Sequence, residues 1–386
     1  GGRLLEIEYD NQAPWPVAPD GTGHSLVLSR PSYGENDPRA WSASDAMSGS
    51  PGAFENYGNE PARGVVINEF LAHTDLPQLD YIELFNTSTQ AVNLSGAWLS
   101  DDASTNKYRI VNGTTIAARG FLAFTEAQLG FALSADGEKI FLVNSNQTRV
   151  LDAVSFDGQE NGVTTGRYPN GTPGFQRLAT VTLGTSNTPP RLSQLVINEI
   201  MYHPISELNE DEYIEIYNRG PGTVALGGWR IQGGVGFTFP SNAVIAAGGY
   251  VVVAENLTNL LSKYPQLNST NAFGNYSGAL GNGSERIALA MPDDLVSTNA
   301  QGVISSNLFY ITMDEVTYTD GGRWGKWSDG GGSSLELIDP DADNRLAANW
   351  ADSDESAKAA WTTIDVTNTM EDGQTGQVNE GSTAQG

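Results

Sequence analysis

Four glutamates occupy matching positions in two similar stretches of the sequence, and paired carboxylates are the first candidates for chemistry in this chain. The pairs are Glu69 with Glu83 and Glu199 with Glu215. Two carboxylates in reach of each other can act as general acid and base, or can bind a metal ion. Both pairs fall in strand-like alternation, where charged side chains point to solvent or pair with arginine. We therefore expect these glutamates to be surface residues with a structural role.

A run of acidic residues near the end of the sequence has the spacing of a calcium-binding loop. Asp339, Asp341 and Asp343 alternate, so their oxygens could converge on one ion. An EF-hand is not expected, because Asn344 takes the place of the required glycine and Trp350 that of the bidentate glutamate. Two interpretations stay open: an irregular calcium site, with calcium as the one candidate cofactor, and a solvated acidic turn, which we favour.

Tryptophans in glycine- and proline-rich turns are candidates for ligand contact. Trp324 and Trp327 lie in the run DGGRWGKWSDGGG, and Trp15 lies in a similar turn. An exposed indole ring at such a place can stack on a sugar, which makes Trp324 and Trp327 candidate ligand-binding residues for a polysaccharide. The alternative is that these rings close the end of a β-sandwich core.

Catalysis is not predicted from the remaining polar residues. The three histidines, His24, His73 and His203, come without a cysteine or a clear nucleophile, so no triad is indicated. The sequence also lacks the motifs of α/β-hydrolases, zinc proteases, P-loop proteins and dinucleotide-binding enzymes. We therefore expect no catalytic residues and no enzymatic activity.

The elements that carry these residues come from one stretch that the chain contains twice. Residues 65–86 read VVINEFLAHTDLPQLDYIELFN, and residues 195–218 read LVINEIMYHPISELNEDEYIEIYN. Ile67 recurs as Ile197, 130 positions later, and a period of this length indicates duplicated domains. Short strand patterns are punctuated by Gly, Asn and Asp about every 8–12 residues, which predicts an all-β fold of sandwich type.

The pattern divides the chain into six segments. They are the C-terminal part of a β domain at 1–55, a linker at 56–64, a complete β-sandwich at 65–186, a proline-containing linker at 187–194, a second and larger sandwich at 195–356, and the start of a further β module or an extended assembly tail at 357–386. Residues 1–55 resemble only the ending of the second sandwich. Isolated hairpins are marginal in water. These strands must therefore pack on residues 65 onward, on another chain, or on residues that this chain lacks.

The amino-acid composition limits the classes of binding partner and indicates a cellular location. The 386 residues include 20 Lys+Arg against 46 Asp+Glu, a formal net charge of −26 that repels nucleic acid and anionic lipid. No apolar run of about 18 residues occurs, so membrane insertion is not expected. Loops rich in Asn, Ser, Thr and Gly without cysteine are typical of secreted bacterial β proteins. We expect an extracellular or cell-surface location, with any export signal upstream of this chain.

The repeated motifs together resemble the lamin tail domain as it occurs in bacterial secreted proteins. The Ile-Asn-Glu start, the Tyr-Ile-Glu strand and a glycine two residues before a tryptophan, at Gly96 and Trp98 and again at Gly227 and Trp229, carry the likeness in both complete units. Residues 1–55 resemble only the ending. The resemblance implies tandem immunoglobulin-like β-sandwiches without catalytic residues of their own. It also implies a place in a long extracellular chain.

These observations lead to two hypotheses about function. The first is a non-catalytic structural or adhesive module, which associates with copies of itself or with neighbouring domains and assembles into fibres. An unmatched strand edge at residues 1–55 and the polar end of the chain favour it, since such an edge invites a neighbour's strand. The second is a carbohydrate-binding accessory module of a larger secreted enzyme.

Overall fold

The structure, a computed structural model, describes residues 7, 9–11, 14–35, 37–55, 58, 60–298, 304–353, 366–369 and 375–378. In the segment 357–386, for which we expect a further β module or an extended tail, it describes one two-stranded hairpin. The strands of this hairpin are Val366–Thr369 and Thr375–Val378. The remainder of that prediction lies outside the described residues.

Near the front of the chain the structure contains a small hairpin. Strand β1 (Leu26–Leu28) pairs antiparallel with β2 (Trp41–Ala43). Two short 3-10 helices, Pro31–Tyr33 and Pro38–Ala40, connect them, and each begins with a proline whose fixed φ suits the first helical position. We call residues 14–55 the front segment.

The first complete unit is a sandwich of two antiparallel sheets. One sheet has the strand order β13-β12-β3-β4-β9, and the other has the order β11-β10-β6-β7. The elements are a 3-10 helix at Pro61–Gly64, β3 (Val65–Leu71), β4 (Tyr81–Asn86), β5 (Val92–Asn93), β6 (Trp98–Ser100), β7 (Tyr108–Arg109), β8 (Thr115–Ile116), β9 (Phe121–Thr125), α1 (Glu126–Leu129), β10 (Gly137–Val143), β11 (Val150–Asp157), β12 (Thr165–Gly166) and β13 (Gln176–Arg177).

The second unit repeats this architecture with additions. Its sheets have the orders β21-β20-β15-β14-β25-β26 and β22-β18-β17-β23-β24. The elements are β14 (Leu195–Met201), a 3-10 helix at Asn209–Asp211, β15 (Tyr213–Asn218), β16 (Val224–Ala225), β17 (Arg230–Gly233), β18 (Val235–Thr238), β19 (Val244–Ile245), β20 (Tyr250–Ala254), α2 (Leu257–Lys263), β21 (Ala272–Gly274), β22 (Ser277–Gly278), β23 (Ser284–Thr298), β24 (Ile304–Thr319), β25 (Leu335–Leu337), a 3-10 helix at Ala347–Asn349 and β26 (Trp350–Asp352).

Each unit buries an apolar core between its two sheets. Ile67 and Ile82 of one sheet meet Leu142 of the other in the first unit, and all three are fully buried. In the second unit Ile214 and Leu289 come together in the same way. Burial of this kind of side chain contributes roughly 1.5–3 kcal/mol each. The predicted all-β fold of tandem immunoglobulin-like sandwiches is thus confirmed.

Both units carry the same β-bulge inside the Ile-Asn-Glu motif. The register of β3 against β4 shifts between Ile67 and Glu69, and that of β14 against β15 shifts between Ile197 and Glu199. A bulge adds one residue to one strand and so changes the face that the following side chains occupy. As a result Ile67 and Phe70 both join the core. The glutamate between them turns to the outer face of the sheet.

The front segment packs on the first unit, which is one of the three places that the sequence leaves open for it. Ala18 and its neighbours cover Phe141, Val143 and Val150 on the outer face of the four-stranded sheet. The main-chain N–H of Met47 donates a hydrogen bond to the first unit as well. In the part of the chain that the structure describes, no helix has the length and apolarity needed to cross a membrane.

Candidate functional site

The glutamate pair of the first unit lies in the interior. Glu69 and Glu83 stand opposite each other on β3 and β4, and both have an exposed fraction of 0%. The expectation that they are surface residues is wrong, because residues 178–188 cross the outer face of the sheet. Thr182 and Gly184 of that segment donate hydrogen bonds to the two carboxylates.

The two carboxylates differ in how completely they are hydrogen-bonded. Glu69 accepts from the Tyr81 hydroxyl (2.6 Å), the Thr182 hydroxyl (2.6 Å) and the Thr182 N–H (3.0 Å). Oε2 of Glu83 accepts from the Gly184 N–H at 2.5 Å, whereas Oε1 is buried without a hydrogen-bond partner among the described atoms. Burial, with a further contribution from Glu69, raises the pKa of Glu83 to about 7. Glu83 therefore holds a proton at mildly acidic pH.

The second unit repeats the arrangement. Glu199 accepts from the hydroxyls of Tyr213 and Ser334, both at 2.5 Å. Glu215, opposite it on β15, accepts from the Asn198 side-chain amide at 2.9 Å. Burial, and after it the charge of Glu199, raises the pKa of Glu215 to about 7.

A glutamate of the bulged strand is thus fastened twice in each unit, once by a tyrosine of the adjacent strand and once by a hydroxyl from the end of the unit. We call this arrangement the glutamate clasp. Its members are Glu69, Tyr81 and Thr182 in the first unit, and Glu199, Tyr213 and Ser334 in the second. In the first unit the clasp glutamate and its partner carboxylate are fully buried, so a substrate in solution does not reach them. The clasp closes the sandwich end onto the Ile-Asn-Glu strand.

The three aspartates of the acidic run have separate partners. Oδ1 of Asp339 accepts from the Asp341 N–H at 2.9 Å, which stabilises the turn. Asp343 pairs with Arg345 at 3.0 Å, and although burial opposes it, this pairing lowers the pKa of Asp343. Asp341 is 76% exposed at its side chain and lies 3.9 Å from Arg219. Among the described residues no group of three His, Asp or Glu could hold a metal ion. The calcium site therefore stays a prediction, and the geometry favours the acidic turn.

The two candidate tryptophans have different surroundings. Trp324 is 5% exposed and packs against Trp350 with ring centroids 6.2 Å apart. The prediction of ligand contact is wrong for Trp324, because its ring faces are covered and it closes the sandwich core. Trp327 is 45% exposed, so its ring remains a candidate for contact with a ligand.

A cleft of about 310 Å³ opens beside this loop on the outer face of the six-stranded sheet. Helix α2 forms one wall, and the loop between β14 and β15 forms the other. Apolar side chains line most of the cleft, including Met201, Ile205, Leu260 and Tyr264. At its rim the ammonium of Lys263 pairs with Asp211. No motif in the sequence predicts this cleft.

His203 lies next to the cleft and joins the β14–β15 loop to the loop that carries Trp327. Its Nδ1 lies 2.6 Å from Asp329 and its Nε2 lies 3.2 Å from Glu207. Although burial opposes it, hydrogen bonding to these two carboxylates raises the pKa of His203. The corresponding His73 of the first unit instead contacts the main-chain oxygen of Gln159 at 2.8 Å. The two histidines therefore have different surroundings despite their matching positions.

The duplicated sandwich, its glutamate clasp and its apolar cleft define a structural or binding module of immunoglobulin-like fold. The sequence profile of the Lamin Tail Domain family matches residues 59–158 and 188–348, which together are more than half of the chain. This chain therefore belongs to the lamin tail domain family, and the resemblance inferred from the motifs is confirmed.

Comparison with other proteins adds little to this assignment. No curated protein matches the chain significantly. Among solved structures, the chain is similar to a DUF4876 family protein from Bacteroides thetaiotaomicron, with 11% sequence identity over 67% of this chain and 78% of that chain. The TM-score is 0.24, so this likeness carries no argument about function.

Proposed function

We propose that the chain is a non-catalytic scaffold segment of an extracellular or cell-surface bacterial protein, in which the units are held in fixed positions for spacing and adhesion. The observation that carries this proposal is the way in which successive units are fastened. Side chains lock both junctions, so neither junction depends on its linker alone. A segment of this kind acts as a stiff link and can assemble further through its ends.

The junction between the front segment and the first unit is polar and largely buried. The guanidinium of Arg149 pairs with Asp45 of the front segment and with Glu60. His24 has its Nδ1 2.8 Å from the Ser44 carbonyl oxygen, and its Nε2 accepts from the Val150 N–H at 3.1 Å. Buried charge pairs and hydrogen bonds of this type fix the relative orientation of two surfaces.

The junction between the two complete units is made by the long β23–β24 hairpin. Arg286 at its base pairs with Asp157 of the first unit at 2.9 Å and with Glu315. Ile311 forms a β-bridge with Gly158. A Cβ on that glycine would lie 2.2 Å from the main-chain oxygen of Tyr310, so this close approach requires glycine.

Interdomain distances measured by electron spin resonance would test the stiff link. The chain has no cysteine, so labels at Asn112→Cys in the first unit and Ser269→Cys in the second would be unique. We expect one narrow distance distribution, which Arg286→Met broadens and the exposed control Arg323→Met leaves unchanged. A broad distribution in the chain without either arginine substitution would overturn the proposal.

A carbohydrate-binding accessory role is the second candidate, and Trp327 is the observation that favours it. Its half-exposed ring lies in the loop next to the cleft, where polar groups such as Asp329 could contact sugar hydroxyls. Affinity electrophoresis on a panel of polysaccharides would test this role. Retardation that is lost in Trp327→Ala and kept in Trp327→Phe supports it, whereas no retardation on any polysaccharide counts against it.

A further inference from the structure

The front segment has the same structure as the end of the second unit. Three of the four elements of residues 15–44 recur 309 positions later, namely β1, the second 3-10 helix and β2, whereas the first 3-10 helix has a turn at the corresponding residues. The rings of Trp15 and Trp41 lie 6.2 Å apart at 41°, and those of Trp324 and Trp350 lie 6.2 Å apart at 42°. The 3-10 helix Pro38–Ala40 corresponds in the same way to the helix that precedes β26. The two segments are therefore copies of one building block.

Hydrogen bonds and strand register agree at the level of individual atoms. Leu28 lies opposite Trp41, and Leu337 lies opposite Trp350. The matching hydrogen bonds are Trp41 Nε1 to Glu35 O (2.8 Å) and Trp350 Nε1 to Asn344 O (2.6 Å), and Ser25 N to Ser44 Oγ (3.0 Å) and Ser334 N to Ser353 Oγ (2.9 Å). The β1–β2 hairpin is therefore the closing hairpin of a lamin tail unit.

In both complete units the closing hairpin lies beside the Ile-Asn-Glu strand. In the first unit β12 pairs with β3, with Gly166 opposite Glu69. In the second unit β25 pairs with β14, with Glu336 opposite Glu199 and Leu335 opposite the next residue. The hairpin and the strand thus meet in the same register in both units. In the second unit the clasp serine, Ser334, directly precedes β25, so there the clasp also joins the hairpin to the strand. In the first unit the clasp threonine, Thr182, follows β13 instead.

The front segment has no such strand among the described residues, where β2 is the one neighbour of β1. The Ser25 carbonyl oxygen accepts from the Ser44 N–H, and the Ser29 N–H donates to the Ala40 carbonyl oxygen. Since main-chain groups alternate in direction along a strand, the N–H and C=O groups of Leu26 and Leu28 point away from β2, to the open edge of β1. Tyr9 is 75% exposed. Its counterpart 309 positions later, Tyr318, is fully buried against another tyrosine ring at 4.5 Å.

We propose that the open edge of β1 is a docking site for the Ile-Asn-Glu strand of another lamin tail unit. The register follows from the second unit: the incoming glutamate lies opposite Val27, and the apolar residue after it lies opposite Leu26. The Ser25 hydroxyl, which corresponds to Ser334, binds the incoming carboxylate as in the clasp. An aromatic residue three positions after that glutamate, the place that Tyr202 takes in the second unit, covers Tyr9.

The occupant comes from a unit outside residues 1–386. The two Ile-Asn-Glu strands of this chain, β3 and β14, already have a neighbour on each side, so a second copy would have to unfold a sheet to donate one. This inference rests on the scaffold function and names the partner that would extend it. The docking inference and the scaffold function can fail separately, because the spin-label distances report on the junction of the two complete units and do not involve the β1 edge.

A fusion would test the docking edge directly. Because Trp15 corresponds to Trp324, a second copy of residues 195–323 joined directly to Trp15, in place of residues 1–14, builds one complete unit with the front segment as its end. We expect the amide hydrogens of Leu26 and Leu28 to exchange at least ~10-fold more slowly in the fusion than in the natural chain. Ile200→Asp in the added copy, which puts a charge into the new core, should abolish this protection.

A synthetic peptide provides the second arm and keeps the test decisive if the fusion does not fold. The peptide has the sequence of residues 194–203 and is added in excess to the natural chain. It should slow the same two amides, whereas a peptide methylated at the amide nitrogen of its Ile200 should not, since Ile200 lies opposite Leu335 in the second unit. Exchange that is unchanged by both fusion and peptide, or slowed equally by the methylated peptide, would overturn the proposal.

Discussion

Replacing Glu83 by glutamine isolates the electrostatic cost of a buried carboxylate. Glutamine has nearly the same shape, and its side-chain oxygen can still accept from the Gly184 N–H. It cannot become negatively charged next to Glu69. The variant should therefore be more stable than the natural chain at alkaline pH and of similar stability at acidic pH.

The magnitude follows from the pKa and the burial of the group. Burial raises the pKa of Glu83 from an ordinary value of 4.5 to about 7. Each pKa unit corresponds to 1.36 kcal/mol, so the ceiling is about 3 kcal/mol. Since the folded state binds the proton more tightly, this stability is fully present below about pH 4.5 and is lost as the pH rises through about 7. The natural chain should thus lose up to about 3 kcal/mol through this group between pH 5 and 8.

Differential scanning calorimetry at pH 5, 6, 7 and 8 would measure the effect. Glu83→Gln should raise the transition temperature of the first unit by several degrees at pH 8 and leave it nearly unchanged at pH 5. The exposed control Glu210→Gln should show no such pH dependence. Comparing variant with natural chain at each pH cancels other titrating groups that lie far away. If Glu83→Gln were destabilising by the same amount at pH 5 and pH 8, Glu83 would not carry the proton assigned to it.

Three further outcomes are expected. Burial lowers the pKa of His24, so the packing of the front segment should weaken as the pH falls below about 6.5. Amide exchange in β1 and β2 should then become faster, and in His24→Gln the exchange rates should not show this change. Arg149→Met leaves the buried Asp45 with one cation fewer and should make the front segment sensitive to limited proteolysis, whereas the exposed control Arg323→Met should not. Trp324→Ala should cost about 3–5 kcal/mol in chemical denaturation and Trp327→Ala less than about 1 kcal/mol.

The repeated strands could be predicted from the sequence because their signal is local. The stretch that begins at Val65 is rich in β-branched residues, and it starts with β3, from Val65 to Leu71. The run that begins near residue 80 becomes β4, from Tyr81 to Asn86. Glycine, asparagine and aspartate mark the turns between strands, since they tolerate the required backbone conformations.

The interior position of the first unit's glutamates could not be predicted, because a segment distant in the sequence produces it. In a regular strand Ile67 and Glu69 would share one face, whereas the bulge at Asn68 puts Ile67 in the core and Glu69 on the outer face. On that outer face Glu69 would be exposed, as the sequence predicts, but a segment from the end of the unit covers it and leaves it fully buried. That cover includes Thr182, which lies 113 positions further along the chain.

Burial of Trp324 has a similar origin. The glycine-rich run around it predicts a turn, and a turn usually exposes its side chains. The ring is buried because Trp350 returns to it from the strand that pairs with β25. The same two-tryptophan contact at Trp15 and Trp41 could have signalled this, since a repeated pair of large apolar residues at the same separation indicates mutual packing.

The β1–β2 and β12–β13 hairpins take part in the two junctions described for this chain. The β1–β2 hairpin packs on the four-stranded sheet of the first unit. The β12–β13 hairpin of the first unit reaches the second, where Arg177 contacts the Met313 sulfur at 3.0 Å and Arg345 donates to the Phe175 carbonyl at 3.0 Å. The β12–β13 hairpin thus belongs to the first unit through its main-chain ladder and contacts the second unit through side chains, whereas the β1–β2 hairpin contacts the first unit through side chains. In the proposed scaffold, separation of the two complete units requires the side-chain contacts of the β12–β13 hairpin to break, so the stiffness of that link depends on this hairpin.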